Sequence, residues 1–461
     1  VATDGAQAND GAGDPSVSGP AMDATGRFVA FTSSSTNLME TTTTNPPPNP
    51  ITNGAPNVFL RDTCLGVTSG CTPKEILVDR DPAGIIANGA SSEPALDSNA
   101  SIVAFTSVAT DLVSGFSFDG TTPQVFAANP CAGVTVGCTQ TVSLVSVGAD
   151  GVTPALGSAT QPSVSGDGRF IAFTSTATNL VAGVATGLPE VYLRDTCLAA
   201  GPACTPVTML VSVAADGVTP ADGSSSQPVV VSGKTGQFVA FTSTATNLVT
   251  GSGGAAEIYR AGYCIGISKG CTPTSAILIS TPDGTTFADG SSVEPTTTSD
   301  GRFVAFASTA SNLGAASGGV QEIYLRDTCQ GVPTGCSAKT ITVSVAADGV
   351  TLANALSEHP SLGNAGRFVA FASLASNLST ANLNGLENIY AHDTCLSAPS
   401  GCLPSTALVS VSATKTPGNG ASLNPVISGT GHVISFFSAA SNLVNNDLNG
   451  FPDIFLAVST F

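Results

Sequence analysis

Arg302-Phe303-Val304-Ala305-Phe306-Ala307-Ser308 decides the reading of this 461-residue chain, because the stretch recurs seven times. The other copies begin at Arg27, Ser101, Arg169, Gln237, Arg367 and His432. The last Phe of each copy falls at Phe31, Phe105, Phe173, Phe241, Phe306, Phe371 and Phe436, in steps of 74, 68, 68, 65, 65 and 65 residues. So regular a period across the whole chain means a repeat architecture. It leaves one domain, 1–461, and no room for a second.

Working outward from the copy at Arg169 gives the unit. Gln161 to Ser165 reads as a short first strand, and Gly166-Asp167-Gly168 as a hairpin turn whose Asp-Gly supplies positive φ. Arg169 to Ser175 is the second strand, Glu190 to Arg194 the third and Met209 to Val213 the fourth. A Gly-rich connection from Ala214 to Thr219 leads to the next unit. Four antiparallel strands repeated seven times predict an all-β fold, a seven-bladed β-propeller. Blades stacked face to face bury both sides of their middle strands, which explains why Phe-Val-Ala-Phe is apolar without alternation. The blades span approximately 14–80, 93–148, 161–215, 227–281, 294–347, 359–412, and 424–461 with 1–5.

The run Pro162-Ser163-Val164-Ser165-Gly166-Asp167-Gly168-Arg169-Phe170-Ile171-Ala172-Phe173, followed by Glu190-Val191-Tyr192-Leu193-Arg194-Asp195, resembles the TolB-like, WD40-like (PD40) propeller repeats of bacterial exported proteins. The resemblance covers essentially the whole chain and implies a propeller fold and export. The family's namesake has six blades and an added N-terminal domain. This chain shows seven repeats and no such domain, so the namesake's partner binding is not carried over.

The units drift. The first carries a low-complexity insertion, Thr41 to Pro50, read as an exposed polyproline-type loop. The second replaces Leu-Arg-Asp-Thr by Ala127-Ala128-Asn129-Pro130, and the fourth by Arg260-Ala261-Gly262-Tyr263. The seventh has a first strand (Pro425 to Ser428), a second (His432 to Ser438) and a third (Asp453 to Ala457), then ends at Phe461 with no Cys pair and no fourth strand. Val1 to Gly5 aligns with Val213 to Gly217, the tail of a fourth strand, and supplies about one residue of it. The expectation is a seventh blade lacking most of its outer strand within the chain. Its edge, Asp453, Ile454, Phe455, Leu456 and Ala457, is then a template for a strand from another chain.

Composition bounds the rest. With 32 acidic against 14 basic residues the net charge is -18, and no Lys/Arg cluster marks a nucleic-acid footprint. An anionic membrane surface would repel such a chain, and no apolar run approaches the ~18 residues of a membrane helix. The start at Val1, without a charged n-region and apolar h-region, reads as a chain whose signal peptide has been removed.

The 12 cysteines form six pairs of one spacing: Cys64/Cys71, Cys131/Cys138, Cys197/Cys204, Cys264/Cys271, Cys329/Cys336 and Cys395/Cys402. An even count at fixed spacing argues for disulfides and an oxidising compartment, extracellular, periplasmic or cell-surface. Each pair would close a loop of about eight residues, contributing roughly 2.5 kcal/mol in the chain-entropy account. Zinc would need two pairs converging on one ion, and these sit on different blades.

The residue before the first-strand Pro is polar in every unit: Asp14, Glu93, Gln161, Gln227, Glu294, His359 and Asn424. Repeat geometry places all seven around one mouth of the central channel. They could hold a cation or polar ligand, or supply a general acid and base. Alternatively each caps its own turn or meets water. An Asn recurs after the second strand (Asn37, Asn179, Asn247, Asn312, Asn377, Asn442, with Asp111 in the second unit) and reads as a turn residue. So do Asp62, Asp195, Asp327 and Asp393, which end third strands. Asp447-Leu448-Asn449-Gly450-Phe451-Pro452-Asp453 looks like part of a Ca²⁺ loop, with Asp447, Asn449 and Asp453 as ligands, but lacks the closing Glu. Asn382-Leu383-Asn384-Gly385 is a weaker echo. No other cofactor is implied. Asn99-Ala100-Ser101 and Asn377-Leu378-Ser379 fit the glycosylation acceptor pattern.

No Gly-x-Ser-x-Gly elbow, P-loop or HExxH is present. The sequence therefore points to a secreted, non-enzymatic structural or interaction propeller. It would self-associate, or bind another protein, through the blade 7 edge, and could build an extracellular fibre by strand complementation. It would bind no nucleic acid and insert into no membrane. One alternative is a ligand-binding protein or an enzyme of lyase or hydrolase type at the channel mouth. Another is a cell-surface adhesin or envelope component.

Overall fold

The structure is a computed structural model that describes residues 7–458 except 13–18, 40–53, 135–136, 199–203, 234–235, 265–273, 315–316, 333, 364, 382 and 384. Seven antiparallel sheets follow one another along the chain, each strand pairing with the next in sequence. Six sheets have four strands and the last has three. Among the described residues there is no helix. This is the seven-bladed propeller, its seventh blade built from Ser422–Ile427, Val433–Ser438 and Asp453–Val458.

Blade 3 shows why the sequence takes this form. Its strands are Ala159–Val164, Phe170–Ser175, Glu190–Asp195 and Val207–Leu210. Phe170 and Ala172 pack on Val239 and Phe241 of blade 4. The intervening Ile171 and Phe173 pack on Ile102 and Ala104 of blade 2. Both faces of the second strand are thus fully buried, so the period-2 signal of a one-sided sheet disappears. Phe173 stands opposite Tyr192, which stands opposite Leu210. The Phe173 and Tyr192 rings stack at 5.9 Å, and Phe306/Tyr324, Phe371/Tyr390 and Phe436/Phe455 repeat that spacing. Such cross-strand aromatic pairs add to the burial of the rings themselves.

The inner strand starts two residues earlier than the sequence suggests. Ala159 and Thr160 pair with Ser175 and Thr174, and the register then slips before Ser163 meets Ala172. The slip is a β-bulge at Gln161-Pro162, and Gln161 there has φ 54°. A bulge is one of the few places where a strand accepts Pro. The outer strand is shorter than read, because Val211 turns to donate its N–H to the Val191 carbonyl (2.8 Å).

The recurring Asn residues fasten one blade to the next. Asn179 Oδ1 accepts the Leu156 N–H (2.8 Å) while its Nδ2 donates to Pro154 O (2.9 Å). Asn247, Asn312, Asn377 and Asn442 grip the connections that enter their own blades in the same way. In blade 1, Asn37 grips the chain's own early residues Gln7 and Asn9. Those residues also reach blade 7: Ala12 N–H donates to Pro452 O (2.9 Å), and Leu448 N–H to Gln7 Oε1 (3.1 Å). The ring is thus joined between blades 7 and 1 at the level of the connecting loops. Val1 to Gly5 and the Thr41–Pro50 insertion lie outside the described residues.

Candidate interaction edge and channel ring

Among the described residues, disulfides join Cys64–Cys71, Cys131–Cys138, Cys197–Cys204, Cys329–Cys336 and Cys395–Cys402. Cys264 is also disulfide-bonded, and Cys271 lies outside the described residues. These bonds place the chain in an oxidising compartment. Asp62, Asp195, Asp327 and Asp393 each stand beside a pair, but not as metal ligands. Asp327 Oδ1 accepts the Cys329 N–H (2.8 Å), and Arg302 grips both carboxylate oxygens (2.9 and 2.7 Å). Burial raises the pKa of Asp327, but the guanidinium and the Cys329 N–H outweigh it and hold the carboxyl below its ordinary value. The Arg302 guanidinium also lies 4.6 Å over the Phe303 ring. Each Asp/Cys/Cys cluster therefore offers sulfurs already oxidised and a carboxylate already paired, a donor set that does not fit a metal ion.

Among the described residues, the polar residues before the first-strand prolines are linked by hydrogen bonds from blade 2 to blade 6. Glu93, Gln161, Gln227, Glu294, His359 and Asn424 all have φ between 51° and 59°. That left-handed conformation is uncommon outside Gly and costs roughly 1 kcal/mol or more at each position. In blades 2 to 5 the side chain reaches the following blade. Glu93 Oε2 accepts the Gln161 N–H (2.7 Å), and Gln161 Oε1 the Gln227 N–H (3.0 Å). Gln227 Oε1 accepts the Glu294 N–H (3.0 Å), and Glu294 Oε2 the His359 N–H (2.7 Å). One side-chain oxygen of each of these four residues is therefore committed to the backbone of the neighbouring blade. The His359 ring lies 3.4 Å from Glu358 and 3.6 Å from Glu294. Burial, with Glu358 and Glu294 nearby, raises the pKa of Glu387 to about 8. Asp14 lies outside the described residues. Because Gln161 Oε1 also accepts from Thr174 Oγ1 (2.9 Å), Gln161→Ala removes two bonds and strands the Gln227 N–H. The expected loss is about 1–3 kcal/mol of unfolding free energy in urea.

Asp447, Asn449 and Asp453 are held by the chain itself. Asp447 Oδ1 accepts from Gln7 Nε2 (3.4 Å). Asn449 accepts the Phe451 N–H (3.2 Å) and turns its amide nitrogen toward Asp453 Oδ2 (2.9 Å). An amide nitrogen facing the carboxylate is not a set of converging oxygens, so these residues do not make a Ca²⁺ cage as they stand.

The blade 7 edge is a different environment. Its third strand pairs with Val433–Ser438 in full register, and no outer strand pairs with it among the described residues. In blade 3 the N–H and C=O of Val191 face the outer strand, bonding Ser212 Oγ and the Val211 N–H. Ile454 occupies the place of Val191, so its N–H and C=O, and those of Leu456, face outward. Leu456 is 36% exposed and Val458 63%, where the matching strand of blade 6 is buried throughout. A cavity with apolar side chains in its wall lies on each side of the edge, Lys415 also lining the first and Arg61 and Glu75 the second. One, of about 450 Å³, is lined by Leu408, Val409, Phe436, Leu443 and Phe455. The other, of about 160 Å³, is lined by Ala8, Ala12, Phe31, Leu38 and Ile454.

No protein family matches the sequence. No curated protein is similar to it. Among solved structures, TolB from Acinetobacter baumannii is 17% identical, over 74% of this chain and 57% of that one, at a TM-score of 0.36. Acylaminoacyl peptidase from Pyrococcus horikoshii is 10% identical, over 97% of this chain and 51% of that one, at 0.47. The β-propeller domain of the Trilobed protease from Pyrococcus furiosus is 8% identical, over 97% and 95%, at 0.46. The chain thus spans a little over half the length of the first two, and at these identities and scores the likeness bears on no question of activity.

Proposed function

We propose that this chain is a secreted, non-enzymatic interaction propeller whose blade 7 edge accepts a β-strand from another copy, joining copies head to tail into an extracellular fibre. The observation that carries the reading is the outward-facing backbone of Ile454 and Leu456 between two cavities partly walled by apolar side chains. Unpaired edges are usually short, charged or covered. This one is six residues long, with no Lys, Arg or Pro. Leu448 (82% exposed) and Phe451 (43% exposed) add apolar surface beside it. A strand of one copy on the edge of the next is a heterologous contact, which propagates instead of closing. The bonds from one side-chain oxygen of Glu93, Gln161, Gln227 and Glu294 to the next blade's backbone support a structural role for these four residues.

Leu456→Pro tests the proposal. Pro there removes an N–H that the second strand does not use, so the fold should tolerate it, while an incoming strand loses a main-chain partner. The parent chain is expected to sediment as concentration-dependent oligomers and to form filaments by electron microscopy. The variant should stay monomeric, with self-association weakened on the order of 100-fold. A parent chain that remains monomeric at every concentration, or a variant that still forms filaments, would sink the fibre reading.

A further inference from the structure

Resting on the edge reading just given, we infer that the blade 7 edge selects its strand by sequence, taking a large apolar residue, then a β-branched one, then Ser, in that order. Blades 2, 3, 4 and 6 display this code in full in their own outer strands, while blade 1 has Asp79 in the Ser place and blade 5 has Thr342 in the first. The first position, Leu77, Leu144, Leu210, Leu278 or Leu408 (Thr342 in blade 5), stands opposite the third-strand aromatic. In blade 3, Leu210 packs toward blade 2 with Phe173 and Tyr192. The second position, Val78, Val145, Val211, Ile279, Val343 or Val409, donates its N–H back to the third strand at 2.7–2.9 Å. Val211 packs toward blade 4 with Val191 and Phe241. The third position is Ser146, Ser212, Ser280, Ser344 or Ser410, each fully buried.

That Ser is bonded twice. Ser212 Oγ accepts the Val191 N–H (3.0 Å) and donates to Glu190 Oε2 (2.5 Å). Ser410 Oγ accepts the Ile389 N–H (3.1 Å) and donates to Asn388 Oδ1 (3.1 Å).

Transferred to blade 7, the three positions meet three matching features. The first would enter the 450 Å³ cavity against Phe436 and Phe455, the counterparts of Phe173 and Tyr192. The second would enter the 160 Å³ cavity against Phe31 and Leu38, the counterparts of Phe241 and Leu248. The third would bond the Ile454 N–H and the carboxyl of Asp453, which has the shape of Asn388 and the same place in its strand. Sliding this strand by one residue would put Val409 in the first cavity, Ser410 in the second and Val411 where the Ser belongs, or else Ala407, Leu408 and Val409, so either slip leaves Ile454 and Asp453 without a hydroxyl.

The test uses a labelled peptide copying residues 405–413 (Ser405-Thr406-Ala407-Leu408-Val409-Ser410-Val411-Ser412-Ala413), titrated against the full chain by fluorescence anisotropy. The parent peptide is expected to bind. The peptide carrying Ser410→Ala should bind roughly 10-fold more weakly. Exchanging Leu408 with Ser410 should weaken it by about 100-fold, since it buries a hydroxyl in one cavity and leaves Ile454 and Asp453 unanswered. Binding of the parent peptide should vanish on the Leu456→Pro chain. Equal binding of all three peptides would overturn the code while leaving strand addition standing. So would failure of every peptide when Leu456→Pro still abolishes self-association. Peptide binding that survives Leu456→Pro would place the peptide elsewhere and overturn the inference.

Discussion

The triple variant Glu190→Gln, Glu257→Gln, Glu322→Gln is expected to lose markedly less unfolding free energy than the parent between pH 5 and pH 8.5, the remaining loss coming from Asp79 and Glu387, which burial also raises to about 8. The three carboxyls begin the third strands of blades 3, 4 and 5 and are at most 2% exposed. Burial raises each from 4.5 to about 7, against the opposing hydrogen bond from Ser212, Ser280 or Ser344. Glu322 Oε1 is buried with no hydrogen-bond partner. In the unfolded chain these groups ionise near 4.5. Between 4.5 and about 7 the folded chain keeps protons that the unfolded chain has released. Stability therefore falls as pH rises through that window and stays low above it. The loss is roughly 1–3 kcal/mol per carboxyl. Blades 2 and 6 show that an amide serves in the same place: Gln124 and Asn388 accept the corresponding Ser hydroxyls at 2.8 and 3.1 Å. Denaturant titrations at the two pH values measure the difference. A variant that declines as steeply as the parent would show that the buried carboxyls are not the cause.

Phe306→Ala is expected to cost about 3–5 kcal/mol, the range for emptying a fully buried aromatic site. Phe306 is 0% exposed, stacks on Tyr324 at 5.9 Å and packs with Ile258 and Ile279 of blade 4. Its loss leaves a cavity between two blades that the surrounding strands cannot close, because each is fixed on both edges. Phe455→Ala at the open edge provides the control. Phe455 makes the same ring pair with Phe436, yet it is only partly buried. It should cost clearly less, about 2 kcal/mol or below. Thermal unfolding of the two variants side by side checks the ordering. Equal costs would mean that the edge is already covered in solution.

The propeller was legible in the sequence because its signals are local and repeated. Phe-Val-Ala-Phe, the Asp-Gly turn and the paired cysteines each recur at one interval, and blade 7's three strands could be counted directly. The channel ring was legible only in part. The polar residue before each Pro marked the position, but the donor that Glu93, Gln161, Gln227 and Glu294 answer is the N–H of a residue 65–68 positions later, reached only because the bulge forces a positive φ. Nothing within one unit announces a bond to the next. The buried Glu190, Glu257 and Glu322 went unread for a similar reason. Each looks like an ordinary strand start until its Ser, 22 or 23 residues on, is seen to be its partner. That fixed interval is the signal that could have found them. The recurring Asn was read as a turn residue, yet its two hydrogen bonds clamp the incoming connection, a role set by how blades meet.

Among the described residues, six of the seven sheets have four strands and the seventh has three. A molecule so built has a valency of one acceptor. Units with a single acceptor that each offer a single strand can pair or line up, but they cannot branch, whatever their concentration. Any material they form by this route is limited to threads, with its thickness fixed by one disc and only its length left to vary.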